Sequence, residues 1–448
     1  MSDRISADLP RPGHGVRNIA DVLRHDGGFR DVHQRWQQLC AQNWGRDWGQ
    51  VKLLTPNVME MIAHSDVLAT AANMLKARGE KAPGPDGKTL EALTRSQTFE
   101  MCRVLGKTIV AGTYRPGDEE VIWIKKASGQ GYRPIVLMNV ADRVVQKAAA
   151  LVLWPMLDPL LDPLSFGGRP RRCREQAIAV AEQWTAGGHP VWLTHDLKDA
   201  YSHVSIPSLL QVFQKHLPCP KLNEFLKLIL PTQDPKIGGI KQGGPLSSLA
   251  LEVYLRHFLE KPWRNRADHL PFIRYADDLL VPAPDQAAAE RADARLRELT
   301  TPCGMVLKAT VDEACVDLRQ AEAQWLGFRF HLDDARFRIE PGNRVLASLG
   351  QRFLLAHRKS RSTERARAIV PHWVAQLGPC YPNGPSVELI REALATAHEF
   401  GFEEMPPVDE LVAAGKAANA RYKRIRKATR KNSAFFVSGN ERNRSRSK

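Results

Sequence analysis

Three aspartates stand out by what surrounds them. The segment PFIRYADDLLVPA, residues 271–283, sets Asp277 and Asp278 side by side between two apolar runs. That pattern predicts a β-hairpin with the acids at or beside its turn. An Asp-Asp pair in a turn is often turn chemistry alone. Between apolar strands, however, two like charges repel and desolvate badly unless a cation neutralises them. A second segment, PVWLTHDLKDAY, residues 190–201, ends an apolar strand on Asp196. Delivered from a neighbouring strand, Asp196 completes an all-oxygen set suited to a hard divalent ion such as Mg²⁺. Two such ions, roughly 3.5–4 Å apart, can activate a 3′-hydroxyl and stabilise a leaving pyrophosphate in an in-line displacement. These residues point to metal-assisted phosphoryl chemistry.

The elements that must position them are legible in outline. EVIWIKK, the turn around Gly129-Gln130-Gly131 and YRPIVL read as strand, turn, strand. ADRVVQKAAALVLW follows as an amphipathic helix expected to end at Pro155, and REQAIAVAEQW is a second helix. The loops KAPGPDGKTL (81–90) and SFGGRPRR (165–172) are too rich in Pro and Gly to be regular elements. Trp36, Trp44 and Trp48 cluster in a helical N-terminal stretch and are expected to pack rather than stack on bases. The result is an α+β chain with strands in its middle and helices at both ends.

The chain has 448 residues, 43% hydrophobic and 25% charged, which excludes wholesale disorder. No run is long and apolar enough for a membrane span, and the N-terminus lacks the apolar core of a secretory signal. Seven scattered cysteines, never spaced CxxC, argue against a disulfide framework or structural zinc and suggest a reducing, cytoplasmic compartment. The formal net charge is +15, of which +11 falls between Lys416 and Lys448. Residues 408–431 read as a helix whose late cations suit its dipole, and the Ser, Asn and Arg beyond Asn432 read as a flexible basic tail. Arg421, Lys423, Arg424, Arg426, Lys427, Arg430 and Lys431 are candidates for nucleic-acid backbone contacts; the alternative is a solvated, solubilising face.

Seven segments, in order, resemble reverse transcriptases, specifically their bacterial group II intron-like branch. Tyr275-Ala276-Asp277-Asp278 looks like the YxDD box. Lys81 to Gly87 resembles the "apGxDG" signature. Tyr132-Arg133-Pro134 with Ala141 to Gln146 resembles "RP…DRvvQ". Ser165 to Pro170 is similar to "SyGFRP", Asp196 to Tyr201 to motif A, Gln242 to Ser247 to "QGxxlS", and Trp325 to Phe328 to the "FLGf" primer grip. The match spans about residues 80 to 330.

The resemblance implies a right-hand polymerase with fingers, an antiparallel palm with helices, and a helical thumb. It suggests an N-terminal helical extension at 1–78, fingers at 79–190, palm at 191–345 with part of the fingers inserted, a helical thumb or maturase-like region at 346–431, and the basic tail at 432–448. By the same resemblance Asp196, Asp277 and Asp278 are catalytic and hold two Mg²⁺ ions, with Mn²⁺ as a substitute. Lys126 (or Lys125) and Arg133 hold the dNTP triphosphate, Tyr201 is a steric gate against the ribose 2′-hydroxyl, and Gln242 and Gly243 lie under the template-primer. The implied partners are an RNA template, structured or intronic, a DNA primer or product, and dNTPs. The sequence leaves the oligomeric state open.

Some positions depart from the pattern. Gly168 replaces the aromatic of "GFRP", Ser247-Ser248 replaces "SP", and the lysine expected after the YxDD hairpin aligns with Val311, leaving Lys308 as a stand-in proton donor. These departures direct the expectation toward a domesticated or antiphage-defence enzyme. The alternatives are a maturase-like RNA-binding protein assisting splicing and, behind it, an RNA-directed RNA polymerase.

Overall fold

A computed structural model describes residues 18–23, 30–45, 47–79, 82–125, 131–266, 269–342, 345–357, 361–380 and 386–432. Lys81, Lys126, most of the Gly129-Gln130-Gly131 turn and the basic tail from 433 onward lie outside the described residues. The chain is mixed α+β with three small antiparallel sheets among the described residues, and it divides into two compact units.

The first unit comprises residues 1–125, 132–161 and 201–254. Its core is helical. Helices Arg30–Trp44 and Ser65–Ala77 pack on Val140–Leu157, which is not amphipathic as expected but buried nearly all round, Asp142, Arg143 and Gln146 included. The tryptophans are packing residues. Trp36 Nε1 donates to Val152 O at 3.0 Å, Trp44 Nε1 donates to Met156 O at 3.1 Å, and Trp44 stacks on Trp48. Contrary to expectation, the Val140–Leu157 helix does not stop at Pro155. Proline there removes a single hydrogen bond in the last turn, and the apolar face of Met156 and Leu157 continues into the core. Strands β1 (Glu119–Lys125) and β2 (Tyr132–Met138) form the expected antiparallel pair, with Ile122 opposite Ile135.

The second unit comprises residues 126–131, 162–200 and 255–448. Strands β3 (Val191–Asp196), β4 (Ile273–Tyr275), β5 (Asp278–Ala283) and β6 (Cys315–Asp317) form a sheet in the order β4-β5-β3-β6. Successive side chains of β3 alternate between faces. His195 points to helix Gln286–Thr300, where it meets Asp293. Trp192 points the other way, donating to Thr185 Oγ1 on helix Arg174–Ala186 and packing on Trp325, Phe330 and Phe337. The last two and Trp325 belong to a second sheet, β7 (Ala323–Trp325), β8 (Phe328–Asp333) and β9 (Arg336–Pro341), joined by two-residue turns. Both turns hold consecutive residues at positive φ, Leu326-Gly327 and Asp334-Ala335, as tight hairpins require. Helices Val345–His357, Ser362–Gln376, Val387–Glu399 and Val408–Arg430 complete the unit. The last packs on helices Arg174–Ala186 and Ser362–Gln376, burying Leu411, Gly415, Asn419, Tyr422 and Thr429. Among the described residues no helix is long and apolar enough to cross a membrane.

Candidate active site

The sheet brings the three aspartates together. Asp196 ends β3, Asp278 begins β5, and the two are direct partners in the antiparallel ladder. Leu197 N donates to Asp277 O at 3.0 Å, the bond that flanks a pair not hydrogen-bonded to each other. In such a pair the side chains share a face and stand closest. Asp277 occupies the adjoining turn between β4 and β5, and all three aspartates are half-buried. Two carboxylates directly opposed on a half-buried face repel one another, so the arrangement calls for a cation.

One cation is supplied by the chain. The segment before residue 309 runs beside the end of β3: Lys198 N donates to Val306 O at 2.7 Å, and Lys308 N to Asp196 O at 3.1 Å. This register lays the Lys308 ammonium on Asp196 Oδ1. Val311, the position to which alignment assigns a lysine, instead begins the short helix Val311–Ala314. Lys308, a stand-in on spacing alone, therefore makes the contact.

The donor set fits a hard divalent ion. Among the described residues no group of three or more Asp, Glu, His or Cys side chains is placed to hold a metal ion. Mg²⁺, however, is usually held by one or two carboxylates, with water and substrate phosphates completing its shell. Asp196 and Asp278 supply that pair, with Asp277 adjacent.

Gly167, within the SFGGRPRR loop, and Arg274, outside the YxDD motif, fix the turn. Ala276 sits at φ 56°, a left-handed conformation that non-glycine residues adopt at a cost. The loop at 165–168 lies along β4: Phe166 N donates to Arg274 O at 2.8 Å and Arg274 N to Leu164 O at 2.9 Å. This brings Gly167 so close that a Cβ would lie 2.0 Å from Ala276 N. Arg274, fully buried, donates from Nη1 to Ala276 O at 2.9 Å and from Nε to Glu260 Oε1 at 2.7 Å. The available signal was a lone charge inside an apolar strand, which burial permits only with a partner.

Behind Asp196, His195 Nε2 lies 2.6 Å from Asp293 Oδ1, and Arg297 Nε donates to Asp293 Oδ2 at 2.7 Å. Burial lowers the His195 pKa, with Asp293 opposing that shift, so the imidazole is neutral near pH 7. Burial likewise raises the phenol of Tyr275. Beside Asp278 a cleft of about 390 Å³ runs past Arg174, the Leu326-Gly327 turn and helices Val345–His357 and Ser362–Gln376.

Arg133, Tyr201, Gln242 and Gly243 lie in the first unit. Arg133 is exposed on β2, and Val136 N donates to Gln242 O at 2.9 Å. In one amide orientation Gln242 accepts from Arg133 Nε at 3.2 Å and donates to Pro134 O at 3.1 Å. The structure thus joins Arg133 and Gln242. Gly243 follows at φ 101°, with the site of an added Cβ 3.2 Å from Ile135 Cγ2, so a side chain there is both strained and crowded. Tyr201 is half-buried, its carbonyl accepting from Ile240 N at 3.0 Å. Neighbouring motif residues act as ties. Tyr114 Oη donates to Asp142 Oδ1 at 2.6 Å, Arg143 Nη2 donates to Ala82 O at 2.8 Å, and buried Lys241 pairs with Glu119 at 2.9 Å.

Of the C-terminal cations, Arg426 is bound to Glu182, and Arg430 lies 3.9 Å from the same carboxylate. Arg421, Lys423, Arg424, Lys427 and Lys431 are exposed.

Residues 124–330 match the family described as reverse transcriptase (RNA-dependent DNA polymerase). The chain is 25% identical over 213 residues to "Protein YkfC" of Escherichia coli K12, covering 45% of this chain and 55% of that protein. It is 23% identical over 169 residues to "Group II intron-encoded protein LtrA" of Lactococcus lactis subsp. cremoris, covering 36% and 28%. It thus spans about half the length of the first of these relatives and less of the second. A telomerase structure from Candida albicans overlaps 71% of this chain and 66% of its own at 12% identity, with a TM-score of 0.36, too slight to carry a conclusion.

Proposed function

We propose, because residues 124–330 belong to the reverse transcriptase (RNA-dependent DNA polymerase) family, that this chain copies an RNA template into DNA by two-metal-ion nucleotidyl transfer. The observation that carries the reading is Asp196 opposed to Asp278 across the ladder, with Asp277 in the adjoining turn. Asp196, Asp277 and Asp278 would hold two Mg²⁺ ions, or Mn²⁺ in their place. When bound, those ions supply a nucleophilic 3′-oxygen and neutralise the leaving pyrophosphate. Lys308, which pairs with Asp196, would in this reading give a proton to the leaving group.

The remaining roles follow from the motif resemblance. Arg133, with its planar donor fork, and Lys126 bind the dNTP phosphates. Tyr201 excludes the ribose 2′-hydroxyl, and Gln242 and Gly243 support the nascent pair. In this reading the β1–β2 region belongs to the fingers, the four-stranded sheet to the palm and the C-terminal helices to the thumb. The exposed C-terminal cations grip the nucleic-acid backbone. The setting we favour is a cytoplasmic, group II intron-like or antiphage-defence one.

The test is primer extension on an RNA template with Mg²⁺, comparing dNTPs with NTPs. Asp277→Ala with Asp278→Ala should lower dNTP incorporation at least about a thousandfold, because metal stabilisation of the transition state is worth several kcal/mol. Full activity in that double variant would sink the assignment, and equal use of NTPs would remove the gate role of Tyr201.

A further inference from the structure

The second unit holds another cleft, of about 510 Å³, away from the carboxylates. Glu182 lines it, eight residues along helix Arg174–Ala186 from Arg174, which lines the cleft beside Asp278. At 1.5 Å per residue the two clefts are thus reached about 12 Å apart along that helix. Phe337 and Ile339 of β9 and Tyr422 of helix Val408–Arg430 form part of its wall.

Its polar groups are unusual for a mere packing gap. Tyr422 is 5% exposed, and its hydroxyl has no hydrogen-bond partner among the described residues. A buried phenol normally finds one. Arg426 donates to Glu182, yet its buried Nε has no partner among the described residues.

The cleft also opens onto positive charge. Lys423 and Arg426 line both it and a neighbouring hollow whose other lining residues are Lys427, Arg430 and Lys431. Lys423, Lys427 and Lys431 recur every fourth residue and so share one stripe, about 12 Å long. Among the described residues none of these three makes an ion pair. A single phosphate needs one such cation; a strand fits all three.

We propose that the cleft and the adjoining cationic hollow form a second nucleic-acid site, outside the polymerase centre. It takes a single-stranded segment, with one base in the cleft and its phosphates along Lys423, Lys427 and Lys431. Among charged lining groups that include Asp333, Arg338 and Glu340, Phe337 and Ile339 suit the face of a base, and the Tyr422 hydroxyl suits its edge. A duplex can lay phosphates on the same cations but keeps its bases stacked and cannot fill the cleft. The choice of nucleic acid as partner rests on the polymerase reading; the cleft, the buried hydroxyl and the cation stripe do not.

The experiment uses the full chain, a short fluorescein-labelled single-stranded RNA, and a blunt duplex of the same length, read by anisotropy. Tyr422→Phe removes only the hydroxyl and should weaken single-strand binding about fivefold to tenfold, the value of one hydrogen bond to a buried group. It should leave duplex binding and primer extension unchanged. Replacing Lys423, Lys427 and Lys431 together by Gln should reduce the salt slope for the single strand by about two, at roughly 0.7 per phosphate contact. Unchanged single-strand affinity in Tyr422→Phe, or equal loss for strand and duplex, overturns the base-in-cleft site. An unchanged salt slope overturns the phosphate track. The Asp277→Ala, Asp278→Ala protein keeps the two readings apart, since it should lose extension while retaining the Tyr422-dependent binding.

Discussion

Asp196 and Asp278 face each other across the β3–β5 ladder as a non-hydrogen-bonded pair, with the Lys308 ammonium on Asp196. Each like charge makes the other unfavourable, and a cation is what relieves both. This relationship ties the stability of the sheet end to the ion that the chemistry needs.

Removing one charge should therefore stabilise the ion-free protein. In the presence of a chelator, Asp278→Asn is expected to raise Tm by about 1–3 °C, since opposed like charges cost up to about 1 kcal/mol. Added Mg²⁺ should raise the Tm of the unsubstituted chain by mass action and move that of Asp278→Asn much less. Thermal melts with and without Mg²⁺ check both. An equal Mg²⁺ response would mean that the ion binds elsewhere.

Lys308 has two separable jobs. As a counter-charge it can be replaced by Arg; as a proton donor it cannot, because a guanidinium does not give up its proton in proteins. Lys308→Gln should lower kcat about a hundredfold, the low end of general acid catalysis. If Lys308→Arg restores ion-free stability but not kcat, the donor role stands. Recovery of both assigns it to charge neutralisation alone.

Gly167 is predicted to govern the geometry of the Asp277 turn without touching substrate. A Cβ at 2.0 Å from Ala276 N cannot be accommodated by a flexible side chain, because the obstacle is backbone. Gly167→Ala must shift the turn or the loop, with an overpacking cost of about 1–3 kcal/mol. A displacement near 1 Å costs roughly a hundredfold in rate. The check is kcat together with Tm: activity should fall far more than the melting temperature accounts for.

The C-terminal charge divides between helix Val408–Arg430 and residues 433–448. Helix Val408–Arg430 buries a face against the second unit, so truncation from Lys416 would expose Asn419 and Tyr422 along with removing charge. Deleting 433–448 instead removes Arg442, Arg444, Arg446 and Lys448. That truncation should leave Tm unchanged and lower the salt slope of RNA binding by up to about three. An unchanged slope, measured by anisotropy across a salt series, would make the tail a solubiliser.

The sequence by itself determined the acids and their strands. Asp196 at the end of PVWLTHD and Asp277-Asp278 between apolar runs carry a local signal, because alternation and turn chemistry are local properties. The helix at 408–430 was legible for the same reason, from its alanines and graded charge. The tertiary structure alone decided which groups meet. That Asp196 opposes Asp278 is a matter of register between strands over eighty residues apart in the chain. That Lys308 reaches Asp196, and not a residue at position 311, depends on where the segment before residue 309 lies beside β3.

The tight seat of Gly167 against Ala276 and the second bond of Arg274 are likewise contacts between segments that no spacing rule connects. The same holds for Tyr422. In sequence it is one aromatic in a run of cations, and only the packing of its helix on Arg174–Ala186 places it in a cleft wall. Residue type and period fix what each segment can be. Which charges must share a low-dielectric space, and so which cation must join them, is settled only when the segments pack.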